Sequence, residues 1–200
     1  MTEHDADTDG TDGYPTAEVS APIDESPSSP MRAAMEWVLV LGGAILLALV
    51  VRSYVLQAFS IPSESMESTL VVGDHVVVDK LSYRFSDIHR FDVVVFDRPP
   101  GLPSEYDELI KRVIGLPGDT VEGHDGAVFV NGEAIDEPYL DDDVTIVDFA
   151  PVVVPEGELF MMGDNRNRSS DSRVFGPISD DTVVGKARFR YWPLDRLGGL

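Results

Sequence analysis

The feature that most limits what this chain can fold into is an uncharged apolar run, WVLVLGGAILLALVV, from Trp37 to Val51. It is apolar on every side and lacks the polar stripe of a helix packed on a soluble core. A helix that crosses a bilayer needs about 20 such residues. The run reaches that length with Met35 at one end and Tyr54 to Phe59 at the other, provided Arg52 snorkels toward the head groups. Trp37 and Tyr54 stand where interfacial aromatics belong. A cleaved signal peptide would want a basic segment near its start. The residues ahead of this run are instead long and acidic, with Arg32 the one Lys or Arg among them. A single transmembrane anchor over 35–58 is expected. Arg32 and Arg52 nearly balance, so charge alone does not orient it.

The flanks differ sharply. Residues 1–34 read as a disordered acidic tail, too poor in large apolar side chains to offset the entropy of ordering. The net charge of -21 argues against binding to nucleic acid or to an anionic lipid surface, because both would repel it, and no nucleic-acid partner is expected. The chain has no cysteine, which removes disulfides, thiolate metal sites and a Cys nucleophile.

From 59 to 200 the pattern changes to short apolar runs rich in Val and aromatics, such as HVVVDKL, FDVVVFD, AVFVNGEAI, ELFMMG and KARFRYW. Gly-Asp, Pro-Gly and Asn-Gly steps separate them, and Asn131-Gly132 has the signature of a tight hairpin turn. The expected fold class is mostly β: one N-terminal transmembrane helix, then an antiparallel, barrel-like β domain.

Three polar segments interrupt this pattern. FSIPSESMESTL (59–70) crowds serines after the apolar run, and alone it is explained by an ordinary Ser-rich linker. In LIKRVIGLPGD (109–119), strand alternation puts Lys111 with Leu109 and Val113, and Arg112 with Ile110 and Ile114, so one cation could point inward. A buried lysine loses its charge readily, and a neutral amine can take a serine proton. Two surface cations on an edge strand would look the same. MGDNRNRSSDSRVFG (162–176) is dense in polar side chains, with Asp171 and Arg173 spaced to pair. His4, His75, His89 and His124 show no metal-binding spacing and no catalytic motif.

Taken together and in order, these segments resemble the bacterial type I signal peptidases. The likeness runs through Ile61–Leu70, Arg90–Phe96, Lys111–Asp119, Gly163–Arg173 and Val184–Pro193. The resemblance implies Ser65 as nucleophile, Lys111 as general base, and Ser63 with the Ser65 backbone N–H as oxyanion hole. It implies Ser169 as the residue that orients the lysine, and Asp171 with Arg173 as a structural pair. Phe59, Ile61, Met66, Leu70, Val95 and Ile110 would wall shallow pockets for small side chains, giving cleavage after Ala-x-Ala-like sites. No metal or cofactor is implied. The implied partners are signal-peptide-bearing precursors and the lipid bilayer. The implied location is the plasma membrane, with the N-terminus cytoplasmic and the catalytic domain outside. Glu64, Ser68 and Phe91 depart from the family's usual Gly, Pro and Gly, and Glu64 is expected to face solvent.

Overall fold

The computed structural model describes residues 30–200. The tail expected over 1–34 lies outside them as far as residue 29, and its last five residues begin a helix. That helix, α1, runs Pro30–Tyr54. Pro30 suits a first helical position, where a missing N–H costs nothing. Arg52 in the last turn opposes the helix dipole. Its apolar window has a mean hydropathy of 2.4 and no buried share. At 1.5 Å per residue, 25 residues extend about 37 Å, enough to cross a bilayer core of about 30 Å. The chain divides between Gly42 and Gly43 into two units, the second holding every strand among the described residues.

Twelve strands follow α1: β1 (Leu56–Ser60), β2 (His75–Asp79), β3 (Val93–Asp97), β4 (Glu108–Gly115), β5 (Thr120–His124), β6 (Ala127–Val130), β7 (Glu133–Ala134), β8 (Phe149–Val153), β9 (Glu158–Met162), β10 (Ile178–Ser179), β11 (Val183–Trp192) and β12 (Gly198–Gly199). All pairs are antiparallel. The larger sheet has the order β1-β2-β11-β3-β4-β9-β10, with β12 beside β11, and is open at β1 and β10. The smaller has the order β7-β6-β5-β8. The fold is thus mostly β behind an apolar helix. The expected hairpin is present: Val130 pairs with Glu133 across Asn131 and Gly132, both at positive φ, as a two-residue turn of the primed kind requires.

The apolar segment ends earlier than the pattern implied. Leu56–Ser60 is a strand, registered Leu56 to Asp79 through Ser60 to His75. Its side chains alternate between exposed and half-buried, and Phe59 packs on the core formed by Ile61, Val76, Val78, Val95 and Ile110. A sheet partner satisfies this backbone while one face stays apolar. A second core fills the space between β4, β9 and the smaller sheet, around Ile114, Val121, Val128 and Phe160. Gly115 sits at this junction, where a Cβ would come within 2.6 Å of Val121 and 2.9 Å of Phe160.

Candidate active site

The loop joining β1 to β2 carries the first serines. Its ends are closed by Ile61 N–H donating to the Asp74 carbonyl (2.8 Å) and Gly73 N–H to the Ile61 carbonyl (2.9 Å). Within it, Glu64–Met66 forms one turn of 3₁₀ helix that buries Ser65 and Met66. The loop is also held from outside by Arg190 of β11, which donates to the Thr69 carbonyl (2.7 Å), and from within by the Asp74 carboxylate, which accepts from Val71 N–H (2.9 Å).

Lys111 reaches the same point from β4, opposite Val94 of β3. Its side chain is 3% exposed. Nζ lies 2.7 Å from Ser65 Oγ and 2.8 Å from the Ile110 carbonyl oxygen. Removal from water pushes the amine down from 10.5 to about 8, against the pull of the Asp171 and Asp164 charges. Ser63 Oγ stands 3.3 Å from Ser65 Oγ on the other side. The sequence separation of 46 between Ser65 and Lys111 is bridged because β1–β2 and β3–β4 belong to one sheet.

Beside this pair is a cavity of about 270 Å³ whose lining includes Phe59, Ile61, Ser63, Val95, Ile110 and Lys111. It lies between two strand edges. β1 pairs with β2 alone, and β4 pairs with β9 only from Arg112 onward. Met66 and Leu70, expected as pocket walls, do not line it. Both are fully buried in the core behind Ile61, Val95 and Ile110.

Alternation predicted one inward cation on β4, but both are buried, Arg112 at 6% exposure. The smaller sheet and its loops cover the second face. There Arg112 donates through Nε and Nη2 to Asp164 (2.9 and 2.6 Å), and through Nη1 to the Phe91 carbonyl (2.9 Å). Thr69 of the serine loop donates to the same carboxylate at 2.6 Å. Arg112, Asp164 and Thr69 went unassigned in the sequence. The signal was there, since alternation puts Arg112 on the face of the buried Ile114.

The loop after β9 closes the site. Asp171 caps the single-turn helix α2 (Ser172–Phe175), pairs with Arg173 through two contacts of 2.8 Å, and accepts from Gly163 N–H at 3.0 Å. Asn165 N–H donates to the Ser65 carbonyl (3.1 Å) and its amide to the Glu64 carbonyl (3.0 Å), so this loop is stapled to the serine turn. Ser169 does not make the bond to Lys111 expected of it. Its Oγ is buried without a hydrogen-bond partner, and the lysine's second contact goes to the Ile110 carbonyl instead. Gly163 must be glycine here, because a Cβ would fall 2.2 Å from Ser169 Oγ and 2.4 Å from the Ser65 carbonyl.

The three departures each have a local account. Glu64 faces solvent and pairs with Arg168 at 2.6 Å. Ser68 has φ 91, which a proline ring locked near -65° cannot adopt, and its hydroxyl donates to Asp141 at 2.8 Å. Phe91 has φ 75, where a glycine would be unstrained. Its ring packs 5.7 Å from that of Tyr139 and against the second core. Among the described residues, no group of three or more His, Asp and Glu is placed to hold a metal ion.

A hydroxyl against a buried amine, at the end of a cleft between strand edges, is an arrangement suited to a nucleophilic hydrolase. A family model described as "Signal peptidase, peptidase S26" matches residues 34–192, and the chain belongs to that family. It is similar to a signal peptidase I of Leptolyngbya laminosa, 41% identical over 170 residues and covering 83% of each chain. A probable signal peptidase I-2 of Synechocystis sp. is 41% identical over 159 residues, covering 78% of this chain and 72% of its own. The crystal structure of a signal peptidase I from Enterococcus faecalis matches 50% of this chain and 97% of its own at 35% identity, with a TM-score of 0.44. The chain is a serine peptidase of the signal peptidase I type, with an N-terminal helix apolar enough to anchor it in a membrane.

Proposed function

We propose that the protein removes signal peptides from secreted precursors by a Ser65–Lys111 dyad. The observation that carries this reading is the buried 2.7 Å contact between Nζ and Oγ. When the amine is neutral, the Ser65 hydroxyl donates to its lone pair. Lys111 takes that proton as Oγ attacks the scissile carbonyl. Ser63 Oγ and the Ser65 N–H meet the developing oxyanion. As an early residue of a helical turn, Ser65 has no intrahelical acceptor for its N–H. Lys111 then gives the proton to the leaving amine, and water activated by the same amine frees the acyl group.

The substrate would lie extended between the open edges of β1 and β4, as a strand added to a sheet edge. The apolar walls Phe59, Ile61, Val95 and Ile110 favour uncharged apolar side chains in this cavity, and with the resemblance to the family this supports Ala-x-Ala-like sites. Asp171 and Arg173 hold the loop that backs the site. The anchor crosses the plasma membrane once, with the tail cytoplasmic and the catalytic domain outside. Ser65 lies eleven residues past Tyr54, at most roughly 36 Å of chain, so the nucleophile stays near the bilayer surface.

The test is cleavage of a signal-bearing precursor by the purified full chain in detergent. Ser65→Ala and Lys111→Met should each abolish it, a loss of about 10⁴-fold or more. Undiminished cleavage by either variant would sink the dyad.

A further inference from the structure

The segment between β7 and β8 touches three parts of the site without reaching the cavity. Tyr139 lays its ring against the Arg112 guanidinium, 3.7 Å from carbon to ring centroid. Its hydroxyl donates to Glu137 at 2.5 Å, and Arg166 Nη1 donates to the same carboxylate at 2.8 Å. Asp141 accepts from Ser68 in the serine loop at 2.8 Å. One short stretch thus joins the strand of the base, the loop of the nucleophile and the loop after β9.

We propose that Tyr139 is a positioning residue for the cleavage reaction, its ring clamping Arg112 against Asp164 next to Lys111. The proposal rests on the Ser65–Lys111 reading. A cation held against an aromatic face is stabilised by the ring's negative surface, and more so where water is excluded. Arg112 is buried, so the clamp lies in such a place.

The consequence is electrostatic. Asp171 and Asp164 are the two carboxylates whose charges act on Lys111. Arg173 offsets the first and Arg112 the second. Glu64, on the serine turn itself, is turned outward to Arg168. Removing the ring lets the guanidinium loosen, and the field of Asp164 at Nζ grows. Lys111 then holds its proton more tightly, so less neutral base is present at neutral pH.

The experiment is the pH dependence of kcat/KM for precursor cleavage by full-length wild type, Tyr139→Phe and Tyr139→Met. Tyr139→Phe keeps the ring and should keep the wild-type midpoint. Tyr139→Met should raise the midpoint by about half a unit, with cleavage at pH 7 reduced about threefold and restored above the midpoint. A purely structural role would lower kcat/KM by one factor at every pH. That result, or an unmoved midpoint in Tyr139→Met, overturns the proposal. An equal shift in both variants also overturns it, by assigning the effect to the hydroxyl and Glu137. Should Tyr139→Met not fold, trifluorophenylalanine placed at position 139 keeps the shape while draining the ring face, and the same shift is expected. Lys111→Met in the same assay separates the two levels, since cleavage by that variant would remove the dyad and not only its clamp.

Discussion

Lys111 and Arg112 follow one another on β4 and are almost equally buried, at 3% and 6% exposure, yet their surroundings are opposite. Lys111 meets a hydroxyl and a carbonyl, both neutral, and burial depresses its pKa to about 8. Arg112 meets a carboxylate through two hydrogen bonds, a second hydroxyl, a carbonyl and an aromatic face. One face of the strand lowers a cation's pKa by burying it against neutral groups. The other makes a cation structural by supplying one. The choice of residue follows: a lysine can give up its proton when buried, whereas a guanidinium cannot.

Three replacements probe that contrast at decreasing scale. Activity changes most. Lys111→Met should lose cleavage by about 10⁴-fold or more, because the proposed dyad then lacks its base. Arg112→Met comes next and should act mainly on stability. It leaves Asp164 buried without its partner, at a cost of about 3–5 kcal/mol. Thermal unfolding of the full chain in detergent, followed by tryptophan fluorescence, would read this. A change below about 1 kcal/mol would mean that the two faces are not as different as their contacts imply.

Lys111→Met should also change stability, in the opposite direction. The folded pKa of about 8 lies below the free value of 10.5, so the unfolded chain binds the extra proton between them. The native state therefore carries a penalty that is fully present below about pH 8 and is relieved as pH rises toward 10.5. From the difference of about 2.5 units, that penalty is about 3 kcal/mol. Lys111→Met should remove it, giving a dead enzyme that is more stable at pH 7 by up to about 3 kcal/mol. Its advantage over wild type should shrink between pH 8 and 10.5. A pH-independent difference would show that packing, not desolvation, sets the effect. The same titration predicts that wild-type kcat/KM falls about tenfold per pH unit below about pH 8.

The contrast was half legible in the sequence. Period-two alternation put Lys111 and Arg112 on opposite faces, and the wording of three segments pointed to Ser65 and Lys111 as a pair. What alternation could not tell was that both faces are covered. That depends on the smaller sheet and the segment between β7 and β8 reaching β4, as Tyr139 does at Arg112. Tyr139 and Glu137 carry no motif with a mechanism, so their approach to Arg112 and Arg166 was invisible. The anchor expected over 35–58 takes in Leu56–Ala58, which start a strand, because hydropathy does not distinguish the end of an apolar helix from an apolar edge strand. Met66 and Leu70 are expected as pocket walls only from the family resemblance, and a matched motif does not say which way each side chain turns; here both turn into the core.

Glu64 gives the smallest expected effect. It is the residue next to Ser65, and an acid there would raise the pKa of Lys111 if it faced inward. It faces outward instead, with its side chain 48% exposed and its partner Arg168 69% exposed. Water screens such a pair, and Asn165 holds the Glu64 carbonyl rather than its carboxylate. Glu64→Gln should therefore leave the pH midpoint of cleavage in place and change kcat/KM by less than about twofold. An acid-side shift of the midpoint in Glu64→Gln would show that the charge reaches Nζ. The neutral surroundings of Lys111 would then be less complete than its two contacts indicate, and the contrast with Arg112 would narrow accordingly.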